Sequence, residues 1–496
     1  MTAMTKQREL RAEFARRLSL LYGREVPAYA ALLQVSQEVN AAVLAERGDT
    51  AERLGSIARV TAERHGAIRV GTPTEIAQVG RIFAAMGMHP VGFYDLRDAA
   101  DKAVPVVSTA FRPIDVEELA YNPFRVFTSM LVPSDRRFFT VDLQKRLNTF
   151  LSRRELFSPE LLSLADRAIA DHGLPTSDAE RFLKLATDAF KLSNEPVDRG
   201  WYEELERVSS VAADIGGVGS THINHLTPRV LDIDDLYRRM DAQGIEMIDA
   251  IQGPPRWSGP DLLLRQTSFR ALAELRVFRE PDGRVTEGSL RVRFGEVESR
   301  GIAATPRGRA LFDQLNTEID QRVREASSGG PVSAAQRTDI GAAIWNERVP
   351  TTERGLVDED LAYFTFECVD NPPRRGQPPT AGLRTLLRDG WVRARPIVYE
   401  DFLPKSAAGI FQSNLTSDGG KGNASTTAVP ADSTWMEGIL GVPLHDPHDL
   451  YAAIRARSLA EVARHLRLPM IVADDAPAAN DAGYADTAHP PANVDA

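Results

Sequence analysis

Apolar residues recur at helical spacing through the first part of the chain. Leu10, Phe14, Leu18 and Leu21 follow one another every three or four positions, with charged residues between them. This stretch contains no uninterrupted apolar core of the kind found in export signals, and no run of about 18 apolar residues occurs anywhere in the sequence. The pattern therefore predicts N-terminal helices over residues 1–64, no export signal and no membrane-spanning segment.

A β-α-β-β unit is predicted next. His65 and Arg69 lie four positions apart in a segment that alternates as a strand does, so their side chains share one face. A helix that begins at Pro73 follows, and then two β segments at residues 90–96 and 104–113 are separated by a polar turn. This order of elements occurs in vicinal-oxygen-chelate barrels, where a curled sheet surrounds a metal ion, and also in ferredoxin-like folds.

The later part of the chain alternates helical patterns with isolated strands. Residues 115–210 are predicted to form a large helical insertion, because amphipathic segments there are separated by Pro, Gly or Ser. Residues 416–433, rich in Gly, Ser, Thr and Asp, are predicted to be a mobile loop. Residues 471–496 lack Lys and Arg and are predicted to be a disordered acidic tail. We predict a single catalytic domain over residues 1–470.

Composition narrows the possible functions. The net charge of -10 and the pI near 5.6 argue against a general nucleic-acid-binding protein, since contacts to phosphates need a basic surface. The single cysteine, Cys368, excludes an internal disulfide framework and any multi-cysteine zinc or iron-sulfur site. It fits a reducing compartment, and we expect the protein in the cytoplasm.

The stretch GGVGSTHINHLTPR, residues 216–229, is a candidate metal site because two histidines follow a glycine-rich turn. In an extended strand His222 and His225 would point to opposite faces, so at most one would enter a shared pocket unless the backbone bends. We expect one ligand and one supporting histidine. Taken alone, the short His-x-x-His pattern is more often a pair of hydrogen-bonded structural histidines.

A carboxylate is predicted on the apolar side of a later strand. Over residues 289–301, Glu296 shares a face with Leu290 and Phe294. An unpaired buried carboxylate is costly, so Glu296 should be neutral, ion-paired or bound to a metal. Glu298 competes for the same role.

Two histidines and one carboxylate on facing strands would form a facial triad. Such a triad leaves three octahedral positions open and suits Fe(II) with oxygen chemistry. We favour His65, His225 and Glu296, with His222 as the substitute for His225. Spacing alone does not select them, because they lie far apart in the sequence.

Several long motifs resemble the bacterial 2-oxoadipate dioxygenase/decarboxylase family, also described as 2-hydroxyglutarate synthases of lysine catabolism. The likeness spans roughly residues 60 to 415 and includes HGAIRVGT, VGFYDL, NPFRVFTSML, HINHLTPR, LLRQTSF, RFGEVESRG and YEDFLPKSAAGIFQSNL. The resemblance implies an α+β fold with a vicinal-oxygen-chelate-like curled β-sheet core, the large helical insertion and peripheral helices.

The resemblance also implies a non-haem Fe(II) site with two His and one Glu, and a substrate-binding Arg. On this chain these positions are His65 and Arg69 in HGAIRVGT, a histidine of HINHLTPR, for which we favour His225, and Glu296 in RFGEVESRG. Ser406 in YEDFLPKSAAGIF is implied as a pocket residue.

The implied reaction converts 2-oxoadipate and O2 to 2-hydroxyglutarate, expected as the D form, and CO2. A 2-oxo acid can chelate Fe(II) through its carboxylate and ketone oxygens, while Arg69 would hold the distal carboxylate. The alternatives are a glyoxalase-like lyase, isomerase or hydrolase using Zn(II) or Mn(II), and a binding protein that kept the fold. A structural interpretation would make the two histidines and Glu296 unrelated residues.

Overall fold

The structure is a computed structural model that describes residues 3–98, 103–271, 273–291, 293–327, 330–370, 382–403 and 431–472. The chain divides into two compact units, one comprising Met1–Thr365 and Arg395–Arg455 and the other Phe366–Ala394 and Ala456–Ala496. Ser406, most of the predicted mobile loop and almost all of the predicted acidic tail lie outside the described residues.

The described residues form fourteen strands and seventeen α-helices. The strands are β1 (Met4–Lys6), β2 (Arg64–Val70), β3 (His89–Asp95), β4 (Val106–Arg112), β5 (Arg125–Leu131), β6 (Gly173–Pro175), β7 (Val197–Asp198), β8 (Ile223–Pro228), β9 (Leu264–Ser268), β10 (Glu274–Arg279), β11 (Val285–Leu290), β12 (Glu296–Arg300), β13 (Phe364–Cys368) and β14 (Val392–Pro396). The helices are α1 (Gln7–Glu25), α2 (Pro27–Arg47), α3 (Ile57–Ala62), α4 (Pro73–Ala84), α5 (Val116–Tyr121), α6 (Val141–Leu151), α7 (Pro159–Ala170), α8 (Thr176–Ala189), α9 (Arg199–Glu206), α10 (Ser210–Gly216), α11 (Ile233–Ala242), α12 (Pro306–Ala326), α13 (Ala334–Arg348), α14 (Glu353–Asp358), α15 (Leu383–Arg388), α16 (Ser433–Leu440) and α17 (Pro447–His465).

A five-stranded sheet in the order β3-β4-β5-β2-β8 organises the first unit. Strand β2 is parallel to β5 and antiparallel to β8, and the other two pairings are antiparallel. Beyond β8, a bridge between Arg229 and Glu298 connects the end of that strand to the antiparallel pair β9-β12. The predicted β-α-β-β unit is confirmed as β2-α4-β3-β4, and the α+β class with a curled-sheet core is confirmed as well.

The two faces of the sheet are covered by different sets of side chains. Ile68 of β2 and Val126 of β5 point into a core that also contains α1, α2, α4, α7 and α8. Ala67 and Phe127, the neighbouring residues on the same strands, point to the opposite face, where α6, α9 and α10 pack. Alternation along the strands thus separates a first face, packed against α1, α2, α4, α7 and α8, from a second face, packed against α6, α9 and α10.

Within the mainly helical insertion predicted over residues 115–210, the prediction of a helical segment is wrong for residues 125–131, which form β5. All seven residues of β5 are buried, because this strand lies in the middle of the sheet with packed layers on both faces. A strand buried on both sides shows no alternation of apolar and polar residues, so its pattern cannot be distinguished from a short buried helix. The rest of the stretch is mainly helical, from α5 to the start of α10.

The predicted continuous strand over residues 289–301 is also wrong, because β11 ends at Leu290 and β12 begins at Glu296. At Gly295 a Cβ atom would lie 1.9 Å from the ring of Phe269, so the ring approaches the backbone where no side chain fits. Glu296 is nevertheless buried, as predicted, at the first position of β12.

The second unit contains α15 and the larger part of the β13-β14 pair. The backbone N–H of Phe366 donates to the Ser458 hydroxyl at 3.1 Å within this unit. No helix among the described residues of the chain is both long and apolar enough to cross a membrane. The single catalytic domain over residues 1–470 stays a prediction.

Candidate metal centre

The register of three neighbouring strands brings polar side chains into one row on the second face of the sheet. His65 of β2 is paired with Arg125 of β5 on one side and with Thr227 of β8 on the other. Two residues further along β2, on the same face, Ala67 is paired with His225. Because paired residues on adjacent strands point to the same face, both histidines project from the same side of the sheet.

His65, His225 and Glu296 form a compact group of possible metal ligands, each offering one ligand atom within 4.8 Å of the others. The Nε2 atom of His65 lies 2.9 Å from Oε2 of Glu296, and the Nε2 atom of His225 lies 3.5 Å from the same oxygen. Each of the three side chains is about 1% exposed. The three residues that the sequence places far apart therefore meet around one small volume.

His225 is a buried imidazole whose two ring nitrogens hydrogen-bond to none of the described residues. Burial lowers the pKa of His225 well below its usual value, and the neighbouring His65 and Arg69 lower it further, so the ring is neutral. A neutral imidazole with a free lone pair is the form that binds a metal ion. These two orphaned nitrogens are the observation that best fits a metal at this position.

Glu296 is held in place from several directions. Its Oε2 atom accepts from the Thr227 hydroxyl at 3.0 Å, and its Oε1 atom accepts from the Gln266 amide at 3.1 Å. Burial raises the pKa of Glu296, against the effect of His65, which lowers it. A carboxylate whose charge is costly here would gain from a cation nearby, which again fits a metal ion.

A second carboxylate, Glu298, lies on the far side of His65. Its Oε1 atom is 3.3 Å from Nδ1 of His65, while Arg125 and Arg300 both donate to it. Burial lowers the pKa of His65, but Glu298 and Glu296 outweigh this and leave that pKa raised. Because two guanidinium groups hold its oxygens, Glu298 is not among the candidate ligands, although the sequence made it a competitor of Glu296.

Arg69 lies on the same face as the candidate ligands, and its Nη1 atom donates to Oδ2 of Asp214 at 2.6 Å. Asp214 also accepts from the Asn224 amide at 2.9 Å, and it lies 3.5 Å from His222. Asp214 and His222 both line a cavity of about 190 Å3 whose wall also includes Arg276. Arg69 thus connects the wall of this cavity to the neighbourhood of His225.

A β-bulge in β8 decides where His225 and His222, the residue just before the strand, point. His225 is paired with Ala67 but Ile223 with Ile68, so Asn224 is an extra residue in the strand. Because of the bulge, Ile223 and Leu226, three positions apart, both point into the core on the first face of the sheet. For the same reason His222 and His225 both point to the second face, where only His225 belongs to the ligand group.

We expect the His222→Asn protein to keep its metal affinity and to lose some affinity for substrate. Burial lowers the pKa of His222 to about 4 against the effect of Asp214, so the residue is neutral and its replacement removes no charge. Loss of its contact with Asn224 should loosen Asp214 and Arg69, which costs about 1 kcal/mol or roughly fivefold in KM. Metal titration and steady-state kinetics measure the two effects separately. Loss of metal binding in this variant would make His222 a ligand.

Sequence reasoning missed most of the groups around the ligands. Thr227 and Gln266 belong to the quoted motifs HINHLTPR and LLRQTSF, and only their proximity to Glu296 in space reveals what they do. Arg125 was hidden because β5 was predicted to be helical. The antiparallel register of β9 and β12, which pairs Gln266 with Glu298, was the missing information.

Two buried imidazoles and one carboxylate gathered at a curled sheet are the donor set typical of one class of enzymes, those that bind a single metal ion through two histidines and an acidic residue. The family model of the 2-oxoadipate dioxygenase/decarboxylase matches residues 14–414. The chain belongs to this family.

Individual relatives agree with this assignment. The 2-oxoadipate dioxygenase/decarboxylase of Mycobacterium bovis is 54% identical over 446 residues, which cover 90% of this chain and 96% of that protein. The protein of the same name from Pseudomonas putida is 40% identical over 471 residues, covering 92% and 97% of the two chains. The crystal structure of the Pseudomonas putida hydroxyglutarate synthase in complex with 2-oxoadipate superposes with a TM-score of 0.80 at 38% identity, covering 94% of this chain and all of that one.

Proposed function

We propose that this chain is an Fe(II)-dependent dioxygenase/decarboxylase that converts 2-oxoadipate and O2 to 2-hydroxyglutarate and CO2. The observation that carries the proposal is the buried group of His65, His225 and Glu296 in a member of this family. The reaction balances without a second 2-oxo acid, because one atom of O2 enters the new carboxylate of the product and the other enters its hydroxyl group.

The three side chains would hold the metal through two imidazole nitrogens and one carboxylate oxygen. This donor set suits ferrous iron and leaves positions for the carboxylate and ketone oxygens of a 2-oxo acid. Bound there, the iron supplies the redox chemistry that O2 requires. The Thr227 hydroxyl and the Gln266 amide keep the Glu296 carboxylate facing the two histidines.

Aromatic rings close the surroundings of the two histidines. The ring of Phe402 packs edge-on against His65, with centroids 5.1 Å apart, and the ring of Phe294 lies 5.1 Å from that of His225. Both phenylalanines are buried. They exclude bulk water from the site, which strengthens every electrostatic interaction inside it and protects a reactive intermediate from hydrolysis.

Arg69 would recognise the distal carboxylate of 2-oxoadipate. It lies on the strand that carries His65, it is close enough to His225 to lower its pKa, and its side chain is about 11% exposed. Its guanidinium can pair with a carboxylate through two parallel hydrogen bonds. This pairing fixes the position of the substrate and selects the chain length that the site accepts. Ser406 would contribute to the same pocket. The D configuration of the product, the place in lysine catabolism and the cytoplasmic location complete the proposal, and they come from the resemblance and the composition.

The experiment uses the full chain reconstituted anaerobically with Fe(II) and then exposed to oxygen with 2-oxo acids of graded length. We expect equal uptake of O2 and release of CO2, greatest with 2-oxoadipate, and 2-hydroxyglutarate as product, with chiral chromatography identifying the enantiomer. Product formation without O2 uptake, or with Zn(II) or Mn(II) in place of iron, would instead support a glyoxalase-like lyase, isomerase or hydrolase. Binding of 2-oxoadipate without any turnover would support a binding protein.

A further inference from the structure

A group of buried charges lies behind His65, on the side away from Glu296. It consists of three carboxylates and four guanidinium groups from different parts of the chain, namely Glu63, Glu298, Glu400, Arg59, Arg125, Arg229 and Arg300. Six of these side chains are no more than 5% exposed and Arg59 is 14% exposed. Within this group, Glu298 is the carboxylate in contact with His65.

We propose that Glu298 is a positioning residue that holds His65 in the tautomer and orientation needed to bind the metal, a role that rests on the proposed metal site. The Oε1 atom of Glu298 lies 3.3 Å from Nδ1 of His65, and Nη2 of Arg125 lies 3.5 Å from the same nitrogen. A metal ion on Nε2 would leave the ring proton on Nδ1, where the Glu298 carboxylate is the group that can accept it. With the proton on Nδ1, the lone pair of the ring lies on Nε2, which faces Glu296 at 2.9 Å. A carboxylate in this position fixes ring orientation and raises the basicity of the ligating nitrogen.

Glu298 is well placed for this role because its own oxygens are fixed. Arg125 donates to both of them, at 3.1 and 2.9 Å, and Arg300 donates to Oε1 at 2.8 Å. Arg300 is in turn held by Glu400 at 2.6 Å. A carboxylate held by two guanidinium groups is kept from turning toward the candidate metal site, so Glu296 and Glu298, two positions apart on β12, have different roles.

The Glu298→Gln variant removes the charge that faces Nδ1 of His65. Arg125 and Arg300 both donate to Oε1, the oxygen that lies 3.3 Å from Nδ1, and a guanidinium group only donates hydrogen bonds, so the amide oxygen takes this position. The acceptor beside Nδ1 is kept but its negative charge is lost, which lowers the basicity of the ligating Nε2.

The matched control is Glu63→Gln. Glu63 is as buried as Glu298 and is also an ion-pair partner of Arg300, at 2.6 Å, while its second oxygen accepts from Arg229 at 3.1 Å. No described contact joins its side chain to His65. Loss of either carboxylate therefore disturbs the charge group to a similar extent, but only one loss reaches the imidazole.

We expect Co(II), titrated into the full-length protein against a competing chelator, to bind the Glu298→Gln variant about 10- to 100-fold more weakly than the wild type. The Glu63→Gln variant should bind like the wild type, although urea unfolding should show similar losses of stability in both. Nitrogen NMR of the histidine-labelled wild type with one equivalent of Zn(II) should show His65 bound through Nε2 and carrying its proton on Nδ1.

Three results overturn the assignment: unchanged Co(II) affinity in Glu298→Gln, an equal loss of affinity in Glu63→Gln, or binding of Zn(II) through Nδ1 of His65 in the wild type. If Glu298→Gln does not fold, Glu298→Asp keeps the charge but withdraws it from Nδ1, and wild-type Co(II) affinity in that variant also overturns it. Failure of the wild type itself to bind Co(II) would instead reject the metal site, which distinguishes the two proposals.

Discussion

The Glu296→Gln protein is expected to fold normally and to lose its metal. Burial raises the pKa of Glu296, which means that the ionised carboxylate is costly where it lies. Glutamine has the same shape and can still accept from Thr227, and the Gln266 amide can turn to present its oxygen to the new NH2 group, so the fold should be at least as stable. Two neutral imidazoles and an amide do not compensate the charge of a divalent ion. The loss of affinity should therefore exceed the roughly 100-fold effect of losing an outer partner.

Metal titration and thermal unfolding in the presence of a chelator measure these two effects. Glu160→Gln is a suitable control, because Glu160 is an exposed residue that pairs with Arg181 on the surface. A surface ion pair contributes about 0–1 kcal/mol, and this variant should keep metal and turnover. Wild-type metal affinity in Glu296→Gln would remove Glu296 from the ligand set.

Replacing Arg69 with alanine should make the protein nearly indifferent to the distal carboxylate of its substrate. Loss of a buried charge pair costs about 2–4 kcal/mol, which corresponds to roughly 30- to 900-fold in kcat/KM for 2-oxoadipate. Part of this cost arises because Asp214 would lose its 2.6 Å hydrogen bond to the guanidinium group. Metal affinity should not change, since Arg69 is not among the candidate ligands.

The sharpest measurement compares 2-oxoadipate with 2-oxohexanoate, which has the same chain length but a methyl group at its end. The wild type should strongly prefer the dicarboxylate, whereas Arg69→Ala should show little preference. Arg69→Lys restores the charge without the planar fork and should give an intermediate preference. Equal discrimination in the wild type and in Arg69→Ala would show that another group recognises the distal carboxylate.

The sequence predicts the parts of this site that lie within one element. The strand that carries His65 and Arg69 on one face was readable because its alternation is visible, and the burial of Glu296 was readable from its neighbours. The pairing of strands was not readable, because hydrogen-bond register depends on segments distant in sequence. For that reason Arg125, Thr227 and Gln266 emerged only from the structure.

The choice between His222 and His225 shows the same limit on a smaller scale. Simple alternation sends the two rings to opposite faces, and only the extra residue Asn224 turns both to the same one. A bulge arises from the fit of one strand to its neighbour, and the spacing of two histidines carries no sign of it. The motif resemblance favoured His225, and the structure brings His225 into the group.

The separation of the ligands along the chain has a consequence for biosynthesis. His65 and Glu296 are 231 positions apart and β2 pairs in parallel with β5, so the site depends on contacts of high sequence separation, which form slowly. A nascent chain on the ribosome cannot assemble the chelating group until most of the first unit has emerged. A metal ion held by these three residues would therefore be selected by the finished cavity and not by the growing chain, and the ions present when folding ends would determine which one is captured.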